Sequence, residues 1–508
     1  MLATARAWRL PGHQLVLERL AWLTPLAVLV LVTFLPELRM YQLMAATVGV
    51  LLVVALSRRP GVVACVLVVG FPLAEIVLPI TLRAGVPTPI VRAAGSWKEL
   101  LVLTLVLAAV QHRRRHPVRP ENLDLLAAAF LALVLLYYLL PTWLASTDLL
   151  IPSGARTVAA RTFGLPIVAF LAARHVELDD RWRRRVATCA LVAGLVVAVG
   201  AIVEIMFPST WERFLHDVLD VDTYQRTIFS NEAGRTFIFS DPTLSGEKTR
   251  RAASILGSHL DSAYALLLPL AIALHILRRH VSSRAVVAGA LVAVGLALTQ
   301  TRSALLGAAL IALGVLRSGS GGSGNRVRLA LAMALAAVVV LPLVADTALA
   351  QRITGAITGT DQESTPEHSE RTRAAFDAVV DQPLGQGLGS SGGTANRFKV
   401  AGSLLPENHY LHVSLDLGVM GGVLFGAVVV IGARAAHRRA RRTDHLLDAA
   451  AASALAATAL AGLFLDSFSV VTTSVPLFVA VGLATAADAS TAPDPYDGRD
   501  ASAVLAGR

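Results

Sequence analysis

Four residues able to carry charge or move protons, Glu407, His409, His412 and Asp416, fall within ten consecutive positions, just after a glycine-rich stretch, PLGQGLGSSGG, at 383–393. Carboxylates and imidazoles are the usual side chains for accepting and returning protons. At helical spacing, steps of three and four put His409, His412 and Asp416 on one face, with Asp416 about 10 Å along the axis from His409. The stretch 410–432 is apolar enough to cross a bilayer, and an ionisable stripe in such a span faces a cavity or the bundle interior. A purely structural reading competes, in which the stripe is an interhelical hydrogen-bond network and Gly418, Gly421 and Gly422 permit close packing. Zinc has less support, because two histidines and a carboxylate occur here without an HExxH spacing. No metal and no cofactor is expected.

A second group is cationic. Arg161, Arg250, Arg251, Arg302, Arg371 and Arg373 are scattered along the chain, yet the topology read below puts all of them on one side, the outer one. Any single arginine at a helix end can simply snorkel to headgroups. Their convergence on the side where the positive-inside rule disfavours them suggests a polyanion to be held. The planar guanidinium fork donates paired hydrogen bonds and stays charged when desolvated, which suits phosphate or pyrophosphate. An anionic lipid serving only as structure would fit as well.

The elements that must position these groups are membrane helices. Hydrophobic residues make up 55% of the chain, in repeated runs near the length needed to cross a bilayer. The fold class is all-α, a polytopic integral membrane protein with about 14 transmembrane helices, within a range of about 12–14 by hydropathy. The runs lie near 20–35, 41–56, 61–78, 96–110, 124–140, 157–173, 186–205, 258–277, 285–300, 303–316, 328–345, 410–432, 446–469 and 474–487. Arg58-Arg59, Arg113 to Arg115, Arg181 to Arg185, Arg278-Arg279, Arg326-Arg328 and Arg438 to Arg442 then share one side, which the positive-inside rule makes the cytoplasm. Both termini are expected there. Residues 285–316 read as one helix would be about 48 Å long, well beyond the bilayer core, and would invert everything downstream. A tight hairpin with Thr299 to Ser303 at its tip is expected instead.

The organisation follows. An N-terminal bundle of about seven spans covers 1–205, with its first span retained. A long extracytoplasmic loop covers 206–257, central spans 258–345, a second long loop 346–409, C-terminal spans 410–487 and a disordered cytoplasmic tail 488–508. Within the first loop, Trp211, Phe214, Leu215, Val218 and Leu219 have the spacing of an amphipathic surface helix. In the second, a short helix is expected over 369–380, carrying Arg371 and Arg373. Cys65 and Cys189 lie in separate apolar spans with no CxxC, so no disulfide framework or plausible pair is expected. Gly387 to Gly392 formally matches GxGxxG but follows no strand, so nucleotide binding is not supported. The net charge of +10 is first a topology signal with membrane lipids as partner, and nucleic acid is excluded as a partner.

Several motifs in order resemble a known family. TRSALLG at 301–307, the arginine-bearing helix, PLGQGLG, ENHYL at 407–411 and DLGVMGG at 416–422, preceded by RRAASILGSHLDSAYALLLPL at 250–270, resemble the O-antigen ligase and polysaccharide polymerase superfamily over roughly residues 240–485. The resemblance implies a GT-C-like, metal-independent glycosyltransferase of the cytoplasmic membrane, acting at its outer face on glycans carried by polyprenyl pyrophosphate. It makes Arg251 and Arg302 the residues that grip pyrophosphate. Independently of it, the charge growing on a departing pyrophosphate adds Arg161 or Arg371, with Arg250, Arg373, His412 and Asp416 as a supporting polar face. Ligases of the family usually carry histidine where this chain has Glu407, an acidic substitution that resembles polymerases. Transfer also needs a proton acceptor for the attacking hydroxyl, for which Glu407 is the first candidate and His409 the next. The expected function is polymerisation of lipid-linked oligosaccharide repeats, with a flippase and a chain-length regulator as candidate partners. A ligase of the same superfamily, or a transporter of lipid-linked glycan, are the competing readings.

Overall fold

The computed structural model describes residues 49–117, 120–140, 150–229, 239–242, 248–280, 282–317 and 364–486. The expected spans near 20–35 and 328–345, the first half of that near 41–56, and the tail lie outside the described residues.

The described chain is helical apart from one two-stranded hairpin. After a helical stretch at 49–57 come α1 (Pro60–Arg83), α2 (Thr88–Ala94), α3 (Trp97–Arg115), α4 (Asn122–Leu139), α5 (Ser153–Arg174) and α6 (Asp180–Met206). Then α7 (Pro208–Arg213), a π-helical turn (Phe214–Val218) and α8 (Val221–Phe229) lead to β1 (Phe239–Pro242) and β2 (Lys248–Arg251), paired antiparallel with Phe239 opposite Arg251. The chain continues through α9 (His259–Ala265), α10 (Leu267–Arg279), α11 (Ser283–Leu298) and α12 (Arg302–Arg317). Last come α13 (Ser364–Asp381), α14 (Gly392–Arg397), α15 (His409–Thr443), α16 (Leu446–Ala461) and α17 (Val471–Ala484). Seven helical stretches among the described residues are long and apolar enough to cross a membrane, with three shorter apolar helices beside them. This is an all-α membrane protein.

The bundle has two distinct ends. At the basic end, Arg174 of α5 binds Asp124 at 2.8 Å and also Glu121 and the Thr485 carbonyl. Arg183 of α6 forks onto Asp448 of α16 at 3.0 and 3.1 Å. Both arginines are buried. Arg183 was expected only as part of a topology-setting cluster; it is instead an interhelical pin, since a buried charge must be paired where water cannot reach it. Between the two ends, helices approach through small residues. Gly295 packs on Ala198, Gly194 on Pro269 and Gly482 on the Phe170 carbonyl, each with no room for a side chain.

The expected hairpin at 285–316 forms. α11 and α12 are separated at 299–301, where Gln300 takes a positive φ of 53°. The surface-helix reading of 211–219 needs a correction: Trp211, Leu215 and Leu219 are buried but Val218 is exposed. The π turn, closed by Leu219 N donating to Phe214 O at 2.9 Å, adds a residue to the turn and rotates Val218 out of the apolar stripe.

Cys65 and Cys189, expected to have no partner, face one another across the contact between α1 and α6. Mild oxidation in the folded state should therefore protect both thiols from maleimide added after denaturation. In Cys65→Ser protein, Cys189 should remain fully labelled. Full labelling of both thiols in the oxidised native sequence would show that α1 and α6 pack in another register.

Candidate active site

The end opposite the basic one gathers the polar residues, and its geometry starts with a broken helix. Gly418 interrupts α15 with φ 74° and ψ 171°, a conformation open to glycine at little cost. The break frees backbone groups that would otherwise bond within the helix. The glycine-rich loop takes them up: Gln386 N donates to Leu415 O at 2.6 Å, and Val419 N donates to Pro383 O at 2.9 Å. Asp416, fully buried, accepts from Gly389 N, Ser390 Oγ, Ser391 N and Ser391 Oγ at 2.7–3.1 Å. Asp416 is thus the anchor of the loop. Gly389 in turn lies against the Ala155 backbone at the start of α5, and Gly392 against the His412 ring, neither leaving space for a Cβ.

Docking this segment brings its two ends together. Arg371, on α13, donates from Nη1 to Glu407 Oε1 at 2.9 Å. The arginine is partly buried and the carboxylate almost wholly so. α13 covers the helix expected over 369–380 and packs on α15, while Arg373, two residues on, is exposed.

His409 and His412 share one partner that the sequence reading missed, Asp466. Their Nδ1 atoms stand 2.5 Å and 2.8 Å from its two carboxylate oxygens. An ionised carboxylate only accepts, so each Nδ1 carries the proton. Burial alone would raise the Asp466 carboxyl, but the charge on His412 and the hydrogen bonds from both rings hold it well below the usual carboxylate range. The expected span 446–469 ran through this residue; α16 ends at Ala461, and Asp466 sits in the turn at 462–470 before α17. A carboxylate inside a predicted span was the available signal. Phe425, Phe468 and Phe163 surround the His409 ring at centroid distances of 4.8, 5.2 and 6.2 Å. That enclosure suits a positioning role better than contact with a substrate. Ligand atoms of His409, His412 and Asp466 lie within 4.8 Å of one another, a spacing that could hold a metal ion. In the arrangement described, both Asp466 oxygens are engaged by the two Nδ1 protons.

Arg251 and Arg302 reach the same end by a different route. Ala252 N donates to Leu298 O at 3.0 Å, which ties the residue after Arg251 to the end of α11, just before the turn that leads to Arg302. Glu204 of α6 accepts from Ala253 N at 2.9 Å and Ser254 N at 2.7 Å, fixing the backbone that follows Arg251. Arg251 Nη1 donates to His259 Nε2 at 3.2 Å. Arg302 opens α12, and the next residue, Ser303, hydrogen-bonds the Tyr264 hydroxyl at 2.8 Å. α9, which carries Tyr264, packs on α17, the helix that follows the Asp466 turn.

Two other predicted members are engaged elsewhere. Arg250 binds Glu204 at 3.3 Å and Glu212 at 2.7 Å, bracing the hairpin on α6 and α7. Arg161 binds Glu99 at 2.5 Å, beside Lys98. It lies two residues, hence about 200° of helix, from the Phe163 that faces the histidines, so it points away from them.

This end of the molecule is a polar, partly buried site in a multi-span helical protein, with arginines on one side and a carboxylate and two imidazoles on the other. Residues 286–426 match the model of a family described as O-antigen ligase, and the chain carries that domain. The match bears out the resemblance to the O-antigen ligase and polymerase superfamily. It contains Arg302, Arg371, Glu407, His409, His412 and Asp416; Arg251 and Asp466 lie outside it. Among curated proteins, none matches the chain.

Replacing Asp416 by Asn keeps the volume but removes the charge that holds four donors. Loss of charge-assisted hydrogen bonds of this kind should cost about 3 kcal/mol locally. The amides of Gly389 and Ser391 should exchange with deuterium faster than in the native protein, while those of α16 keep their rate. Unchanged exchange at 389–391 would show that the loop is held by other contacts.

Proposed function

We propose that the protein is a polysaccharide polymerase. It joins polyprenyl-pyrophosphate-linked oligosaccharide repeats at the outer face of the cytoplasmic membrane. The observation that carries the reading is the Arg371–Glu407 pair at 2.9 Å, which presents an acidic residue, where ligases of the superfamily usually have histidine, at the end of the bundle that also holds Arg251 and Arg302.

The chemistry follows from these groups. A sugar hydroxyl on the acceptor repeat attacks the anomeric carbon of the donor glycan, and a new glycosidic bond forms. The bond from that carbon to the pyrophosphate oxygen breaks, and its electron pair leaves with the pyrophosphate. Glu407 accepts the hydroxyl proton. Arg251 and Arg302 offset the charge growing on the leaving group, helped by the partial positive charge at the N-terminus of α12. Arg371 orients Glu407, and Asp466 with His409 and His412 positions the first turn of α15. Arg161 and Arg250, already engaged by carboxylates, have structural parts.

A ligase reading has one observation in its favour, the description of the matching family as O-antigen ligase. The two part on the acceptor. Purified protein in liposomes with lipid-linked repeats alone, in the presence of EDTA, should yield a size ladder. Arg251→Ala should shorten or abolish it, and Glu407→Gln should slow it by about 100-fold or more, the usual worth of a positioned general base. Product that forms only after a separate acceptor is added would instead identify a ligase. A normal ladder from Glu407→Gln protein would remove Glu407 as the base.

A further inference from the structure

At the basic end, two adjoining concavities of about 780 and 770 Å³ open between the ends of α1, α3 and α6. Arg58, Pro60, His112 and Glu177 line both. The first extends to Arg114 and Arg115 at the close of α3. The second runs along Arg59, Gly61 and Val62, and Trp182 walls it, with the Arg185 guanidinium 4.6 Å over the Trp182 ring. Five arginines therefore face these concavities against the two carboxylates of Glu177 and Asp179.

The backbone adds to this charge. α1 is 24 residues long, and no side chain caps its N-terminus, whose first residues line the second concavity. The nearby start of α6 is different: Asp179 accepts from Trp182 N at 2.8 Å, so its carboxylate is already committed. Pro60 has no N–H, and Val62 N and Val63 N donate to Arg59 O at 3.0 and 3.3 Å, so the first turn offers the Gly61 N–H alone, and guanidinium forks must supply most of the phosphate coordination. Basic pockets between transmembrane helices on the cytoplasmic side are suited to anionic headgroups.

We propose that this double concavity is a binding site for the phosphodiester headgroup of an anionic phospholipid, gripped by Arg58, Arg59, Arg114 and Arg115. It stands apart from glycosyl transfer and does not depend on that reading. These four arginines are exposed, so if they served topology alone they would bind an anionic lipid no better than other exposed arginines at this end.

The test uses full-length, delipidated protein titrated with phosphatidylglycerol and, separately, phosphatidylcholine, with bound lipids counted by native mass spectrometry. Phosphatidylglycerol should bind first and tighter. The double variant Arg114→Gln/Arg115→Gln should bind it about tenfold or more weakly, given roughly 1 kcal/mol per arginine. Arg441→Gln/Arg442→Gln removes the same charge from equally exposed positions on α15 that do not line the concavities and should leave binding within about twofold. Glu177→Gln removes a repelling carboxylate, leaves the arginines that set orientation in place, and should tighten binding. Equal losses in the two double variants, no preference for phosphatidylglycerol, or an unaltered Glu177→Gln protein would each overturn the proposal. Displacement of the lipid by millimolar inorganic phosphate would assign the site to a free anion and overturn the lipid source.

Discussion

A buried carboxylate in a membrane bundle has to be given donors, and the site end of this protein is organised by how Asp416 gets them. Three successive residues of the glycine-rich loop supply four hydrogen bonds to it. The loop can approach so closely because Gly389 and Gly392, at φ 83° and 69°, turn without side chains against α5 and His412. The break at Gly418 is the reciprocal half of the arrangement, since the backbone groups it frees are those that pair with Pro383 and Gln386. With 383–392 clamped in this way, the segments on either side cannot diverge. Arg371 before the clamp and Glu407 after it are thereby held at bonding distance. Removing the carboxylate would leave polar loop backbone in an apolar setting, a loss larger than any single hydrogen bond in the set.

The two ends of the bundle use the same physics for different purposes. At the basic end, Arg174 and Arg183 join α4, α5, α6 and α16 through paired charges and hold the end of α17 by its Leu483 and Thr485 carbonyls. Glycines and alanines allow close helix contact between the ends. The outcome is a frame in which α12 and α15 present their first residues at a fixed height, so that Arg302 and the α15 histidines are offered from rigid elements rather than from loops alone. In the proposed reaction that rigidity is the protein's contribution: the arginines and the base are in position before the substrate arrives.

Much of this was legible in the sequence. Apolar run length located helices such as α1, α5, α6 and α10 because crossing a bilayer imposes a length. The break near Thr299 followed from the same limit, and the one-face placement of His409, His412 and Asp416 followed from helical period. What stayed hidden were partners. Hydropathy scores a side chain without asking what it bonds, so Asp466 was absorbed into a span, and Arg183 was read only as part of a topology-setting cluster. Arg161 and Arg250 were grouped with the site because topology places them at the same height, whereas Glu99, Glu204 and Glu212 take them elsewhere. The proximity of the free Cys65 and Cys189 thiols was likewise invisible, because it depends on which helices are neighbours. The matched family covers 286–426, and the partners that complete the site from outside that stretch, Asp466 and Tyr264, are the ones that family motifs could not supply.

The central claim is that this end of the protein cleaves the bond between a glycan and lipid pyrophosphate. The most direct measurement is release of polyprenyl pyrophosphate from a labelled lipid-linked repeat by reconstituted protein in EDTA, followed together with glycosidic bond formation. The account predicts one pyrophosphate lipid released for each new bond, and loss of both in Arg302→Ala protein that melts at the native temperature. Undiminished release by that variant, or new glycosidic bonds formed with no release of the donor's pyrophosphate lipid, would contradict it.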